Sequence, residues 1–427
     1  MDLFTISSII ISLSALFGYI NIKWLKLPTT IGLMVVAILF TLVLFASAQV
    51  DARLLHMAES LIGQIDFGHV LLDVLLGFLL FAGAMHTNFD QLRVQRWPVL
   101  VFSTLGVITS TILIGYAVCF IFSALGFHVE LIACFLFGAL ISPTDPIAVL
   151  GILKKAGVPK KLETKIVGES LFNDGVGVVV FLTIMSIAGV DGGHGAHGDA
   201  TMSSVIQLFG QEVIGGIILG GLLGYATYRL LKSIDDYDIE VMITLACVMG
   251  GYSLAHYLGM SAPLAMVVAG LIVGNDTVRG TAMSDTTEQY VDKFWELMDM
   301  LMNAILFVLI GLELLIIDFD PKFVTAGVIS IVIVLVARYI SLFLPVRFFR
   351  KRLQFVRNTT LIMTWGGLRG GISIALALSL PEEMNRDLFL TVTYAVVIFS
   401  IIVQGLSVGK LANKLIGEHQ TELDLDH

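Results

Sequence analysis

Apolar runs of about 20 residues recur along this chain from residue 3 to residue 410, separated by short polar connections. A helix needs about 20 such residues to cross a bilayer. The pattern therefore predicts thirteen membrane-spanning segments, over approximately 3–22, 29–48, 69–87, 97–125, 129–153, 162–188, 205–231, 237–258, 262–275, 294–317, 323–349, 358–380 and 387–410. Threading them alternately sorts the connecting charges. Of the 25 Lys and Arg residues, twenty fall on one side, three (Arg53, Lys322, Arg386) on the other, and Arg338 and Arg369 within spans. The basic side faces the cytoplasm by the positive-inside rule, so the N-terminus is expected outside and the C-terminus inside.

An odd number of spans with a central connector allows two halves of inverted topology. The expectation is a single transmembrane domain over 1–427: repeat one at about 1–190, a linker helix at about 205–231, repeat two at about 237–412, and a short cytoplasmic tail at 413–427. Composition agrees with the class. Apolar residues make up 57%, charged residues 14%, and the mean hydropathy is +0.92, which predicts an all-α polytopic protein of a cell (inner or plasma) membrane. The net charge of −9 is divided between the two faces and gives no sign of a nucleic-acid partner. Lys23 and Lys26 follow the first apolar run, which reads as a retained helix, not a cleaved leader. Cys119, Cys134 and Cys247 lie in apolar segments at unrelated spacings and read as small core residues.

The sixth segment carries the strongest chemical signal. Within its apolar run from Leu162 to Ala188 stands GESLFNDGVGVVV, residues 168–180. Asp174 lies on the order of 16 Å along the helix from Glu163, at a depth where a carboxylate costs at least ~2.5–3.5 kcal/mol. Ser170 and Asp174 are four apart and share a helical face, as do Glu169 and Asn173. A hydroxyl and a carboxylate aimed at one point suit a small hard cation. Gly168, Gly175 and Gly177 keep the helix slim for a close neighbour.

At the offset relating the two halves, the fifth segment lies opposite the twelfth, and both are interrupted. The fifth reads GALISPTDPIAVLG, with Pro143 and Pro146 bracketing Thr144 and Asp145; the twelfth reads TWGGLRGGISIALALSL, with four glycines around Arg369. Helix breaks at matched depths point to discontinuous helices crossing at a midplane ion site. The half-helix ends would carry partial charges of about ±0.5 each, with Asp145 offsetting the positive ends and Arg369 the negative ones. Asp73, Glu212 and Glu313 read as interfacial or capping groups near outer helix ends, and Asp292, Glu296 and Asp299 as first-turn acids of the tenth helix. The loop DGGHGAHGD, with His194 and His197, reads as a Gly-rich linker.

The strings SPTDPIAV (142–149), GESLFNDGVGVV (168–179), SAPLAMVVAGLIVGN (261–275), ARYISLFLP (337–345) and GGLRGGISIALALSL (366–380) resemble the monovalent cation/proton antiporters. They are most similar to the electroneutral NhaP-like branch that includes the animal sodium/hydrogen exchangers, whose signature is Asn-Asp at 173–174. The resemblance implies roles for particular residues. Asp174 would bind cation or proton in competition, with Ser170 and the backbone carbonyl of Thr144 as further Na+ ligands and Asn173 supporting them. Glu169 would form a structural ion pair with Arg338, and Asp145 and Arg369 would serve the crossed half-helices. The resemblance also implies a homodimer. One departure stands out: where family members often carry a Glu in the third segment, this chain has Ala82, leaving the cation shell to water, backbone or a neighbour such as Thr87.

The expected function is secondary active exchange of Na+ (or Li+) for H+ by alternating access. One exchangeable carboxylate predicts one cation per proton and no net charge movement. K+/H+ antiport on the same fold is the alternative; a cation channel is disfavoured by the absence of carbonyl filters or charge rings. No nucleophile–base set or phosphate loop points to an enzyme, and no cofactor is expected beyond the transported ions.

Overall fold

The computed structural model describes residues 3–48, 51–65, 67–87, 89–145, 153, 158, 160–189, 202–315, 320–353 and 358–425. All regular structure among the described residues is helical. The main elements are α1 (Phe4–Leu25), α2 (Thr29–Ser47), α3 (Phe67–Met85), α4 (Arg96–Ala124), α5 (Leu131–Ile141), α6 (Lys160–Ile187), α7 (Met202–Leu231), α8 (Tyr237–Tyr257), α9 (Ala262–Val273), α10 (Asp285–Glu313), α11 (Pro321–Leu353), α12 (Thr359–Trp365), α13 (Gly371–Leu378) and α14 (Arg386–Leu415).

Ten of these helices are long and apolar enough to cross a membrane, among the described residues. The other three predicted segments are shorter or interrupted. The ninth is α9, and the fifth is α5, which stops before Pro143 because proline offers no N–H to continue the ladder. Residues 146–152, and with them Pro146, lie outside the described residues. The twelfth is split into α12 and α13 by non-helical backbone at 367–370, where glycine pays the largest conformational cost of helix formation. His194 and His197 also fall outside the described residues.

Helix starts follow local capping chemistry. The Asp236 side chain accepts from the Ile239 N–H to open α8, and Ser261 does the same for Leu264 ahead of Pro263 in α9. α10 opens with a capping box between Ser284 and Thr287. That box corrects the sequence expectation, because the helix begins at Asp285 and not near 294. Asp292, Glu296 and Asp299 therefore sit in its second to fourth turns, away from the N-terminal dipole. Asp292 is held instead by Arg279 at 2.8 Å. Glu212 and Glu313 are both buried, while Asp73 is well exposed and paired with His69 one turn earlier.

The burial pattern identifies the centre of the bundle. In α6 and α14, 67% and 72% of the apolar window is buried, against 28% in α1 and α7. α6 contributes to three hydrophobic clusters: through Val178, Phe181 and Met185 to one, Leu171 to a second, and Leu162 and Ile166 to a third. The glycines of α6 admit their neighbours: a Cβ at Gly175 would collide with Leu264 and one at Gly177 with the ring of Pro143.

Lipid tails are as apolar as leucine, so helices in a bilayer associate chiefly through close packing. α7 against α9 shows this. Gly216, Gly220 and Gly224 form a stripe of spacing four, and a Cβ at Gly220 would lie 2.9 Å from both the Ala265 Cα and the Val268 Cβ. Gly221 beside it faces open space. Gly220→Leu is expected to lower stability by about 1–3 kcal/mol through overpacking, whereas Gly221→Leu should cost little. Melting of the two purified variants checks this; equal melting would contradict the packing argument.

Candidate cation-binding site

The polar residues of α6 meet the two breaks in the middle of the bundle. Asn173, fully buried, bridges α6 to the unwound chain after α5. Its Oδ1 accepts from the Thr144 N–H at 3.2 Å, and its Nδ2 donates to the Thr144 hydroxyl at 2.9 Å. The Ser170 and Thr144 hydroxyls are 2.9 Å apart. Glu169 and Arg338 pair at 2.5 Å with side chains 1% and 4% exposed. A pair so buried is held by mutual charge, since either ion alone would be left in a medium that cannot solvate it.

The breaks also hold each other. The Asp145 N–H donates to the Leu368 carbonyl at 2.8 Å. The Arg369 guanidinium donates to the carbonyls of Ser142 and Pro143, the latter at 2.8 Å, and its own backbone N–H donates to Ser400 Oγ of α14 at 2.8 Å. Arg369 thus sits on the carbonyl end of α5, where a helix carries its negative partial charge. The Asp145 carboxylate lies against Gly370, the residue that precedes α13: a Cβ there would meet Asp145 Oδ2 at 2.7 Å. A negative group is favoured at that helix N-terminus, and only glycine leaves room for it.

A cavity of about 50 Å³ opens between these elements, lined by Pro143, Asp145, Asp174, Asn303, Gly370 and Ser373 among others. A water site needs about 10–15 Å³ by the same measure, so the cavity accommodates an ion with part of its hydration shell. Asp174, 6% exposed, is the α6 carboxylate on this wall. Thr144 and Ser170 are not among the lining residues; their hydroxyls face each other behind it. From α3 come Leu76, Leu79, Leu80 and Gly83, all without polar side-chain atoms. Ala82 is fully buried, and Thr87 donates to the Gly83 carbonyl of its own helix at 2.7 Å and does not line the cavity.

Sequence reasoning missed Asn303 and Ser373, which line the cavity from α10 and α13. The signal for Asn303 was present: it is a lone amide in the apolar run LMNAILFVLI (301–310), and polar residues inside spans are costly enough to mark a path or partner.

Comparison with known proteins places the chain in a family and a fold. The profile of the transmembrane sodium/hydrogen exchanger family matches residues 11–414. The Na(+)/H(+) antiporter NhaP of Pseudomonas aeruginosa is 48% identical over 411 residues, covering 95% of each chain. The Na(+)/H(+) antiporter NhaH of Halobacillus dabanensis is 35% identical over 404 residues, covering 92% of this chain and 93% of its own. Among solved structures, the sodium proton antiporter MjNhaP1 from Methanocaldococcus jannaschii at pH 8 shares the fold, with a TM-score of 0.74 at 18% identity over 98% of this chain and 100% of that one. With a buried carboxylate beside two stretches of unwound backbone and a family match spanning nearly its whole length, this multi-pass membrane protein belongs to the sodium/hydrogen exchanger family.

Proposed function

We propose that this chain exchanges Na+, or Li+, for H+ across the membrane by alternating access, with Asp174 as the shared binding group. The observation that carries the reading is the buried Asp174 carboxylate on a small cavity beside the two stretches of unwound backbone that meet at Asp145 and Leu368. The names of the relatives support the choice of ions. A cation or a proton neutralises Asp174, and the neutral form crosses the apolar barrier at far lower cost than the bare anion. The empty ionised form is held back, which couples the two fluxes.

Exchange is one for one and electroneutral in this proposal, because the other charges at the two helix breaks and on α6 are already matched. Glu169 is tied to Arg338, Asp145 faces the N-terminus of α13, and Arg369 sits on the end of α5. Ser170, once its hydroxyl turns from that of Thr144, and the Thr144 carbonyl complete the cation shell, and Asn173 holds the break in register. Alternating access is supported by an asymmetry around the cavity: directional bonds gather on the side of α5, α6, α12 and α13, while α3 offers leucines and a glycine that can slide. We further propose two inverted repeats flanking α7, assembly as a homodimer, and insertion in the cell membrane with the basic loops cytoplasmic.

In proteoliposomes, adding Na+ or Li+ should release protons at a rate that ignores a clamped membrane voltage, and Asp174→Asn should abolish the release. Flux in Asp174→Asn would move the site elsewhere, voltage dependence would add a second exchanging group, and a response to K+ alone would reassign the cation.

Glu169→Gln leaves the Arg338 cation buried without its counter-charge, a loss of about 3–5 kcal/mol for pairs of this kind. The purified variant is expected to melt well below the parent protein. The double substitution Glu169→Gln with Arg338→Met should recover part of the difference. Additive losses would show that the two residues do not act as a pair.

A further inference from the structure

A second, larger cavity of about 620 Å³ lies beside the first, lined by the start of α2 and by Lys293, Glu296, Asp299, Met300 and Asn303 of α10. Asn303 is on the wall of both cavities. Glu296, Asp299 and Asn303 follow one another at helical spacings of three and four, so they descend one face of α10 over about 10 Å. Glu296 is exposed, Asp299 half-buried and Asn303 only 3% exposed. Going down the funnel, each oxygen-bearing group is drier than the last.

The orientation of the Asn303 amide is set by its neighbours. Nδ2 donates to the Asp299 backbone carbonyl at 2.8 Å and to Asp299 Oδ1 at 3.1 Å, which uses both amide hydrogens. Turning the amide over would set oxygen against oxygen twice. Its Oδ1 is consequently left as a buried acceptor with no hydrogen-bond partner. Such a group favours a donor or a cation. With both donors spent, Asp299 and Asn303 present acceptors at the neck where the two cavities share Asn303, which favours a cation over an anion there; the exposed Lys293 is also on the wall of the larger cavity. The oxygens are hard, so the matching ligand is a hard cation.

We propose that the neck is a second, outer binding station for the transported monovalent cation, formed by the Asp299 carboxylate and the Asn303 side-chain carbonyl. The proposal rests on the reading above that the chain carries such a cation. An ion entering from the side of the basic loops exchanges water for Asp299 and Asn303 before reaching Asp174, so dehydration proceeds in steps. The station meets the Asp174 cavity at Asn303, while its carboxylate, Asp299, lies on the wall of the larger cavity and not of the smaller one.

The test uses 23Na NMR relaxation of full-length protein in detergent, which detects weak, fast-exchanging Na+. Asp174→Asn removes the inner site. The variant should retain excess Na+ relaxation that Li+ displaces and choline does not. Adding Asp299→Asn or, separately, Asn303→Leu should weaken this residual binding about tenfold, the effect of losing one ligand to a charged group. Two variants are used so that misfolding of one, detected by gel filtration, leaves the other to decide. Residual relaxation absent in Asp174→Asn, or unchanged by both added substitutions, would overturn the outer station and reduce the Asn303 acceptor to a water site. The antiport reading fails separately, if the unmodified protein releases no protons on Na+ addition.

Discussion

Two stretches of unwound backbone, 142–145 and 367–370, meet inside a bundle where water is scarce. Non-helical backbone is tolerated at that depth only where protein or a lined cavity satisfies its polar groups. The surrounding structure supplies the partners. Arg369 covers the carbonyls of Ser142 and Pro143, Ser400 accepts from the Arg369 N–H, Asn173 accepts from the Thr144 N–H, and Gln404 donates to the Trp365 carbonyl at 3.0 Å. Each of these side chains is buried and polar in an apolar span, which explains why the charges and amides of this chain are found where they are. The cost of leaving them out would be an orphaned peptide group in a low-dielectric core.

That requirement makes α6 the axis of the molecule. Asn173 ties it to the break after α5, the Glu169–Arg338 pair ties it to α11, and Gly177 admits Pro143 against its flank. Asp174 follows Asn173 directly in sequence, so fixing the amide fixes the carboxylate one residue on, turned by about 100° around the helix. The Asp174 carboxylate, the proposed cation ligand, is thereby positioned by bonds that do not involve it. This leaves Asp174 available to a changing occupant while the frame stays satisfied.

Much of this was legible in the sequence because depth is expensive. Glu169, Asn173, Asp174, Arg338 and Arg369 stand out against apolar runs, and proline and glycine mark the two breaks. What could not be read was direction. Spacing puts Ser170 on the face of Asp174, yet its hydroxyl turns to Thr144 and away from the cavity. The start of α10 was misplaced because the polar stretch 284–293 lacks the apolar character of a span, although Ser284 and Thr287 cap a helix perfectly well outside the bilayer core. Shifting that start changes the meaning of Asp299 from a dipole partner to a wall of the funnel.

Ala82, standing where the family resemblance implies an acid in the third segment, bears on how the inner cavity is charged. With leucines, a glycine and a buried alanine on α3, that helix contributes no ligand side chain to the cavity. The polar atoms available opposite α6 come instead from α10 through Asn303 and from α13 through Ser373. A neutral amide there interacts with a cation less strongly than a second carboxylate would, because the charge–charge energy is replaced by a charge–dipole one. It also leaves Asp174 as the carboxylate of the cavity not matched to a helix end. Fewer ligand charges make a bound ion easier to release, which suits the exchange proposed above.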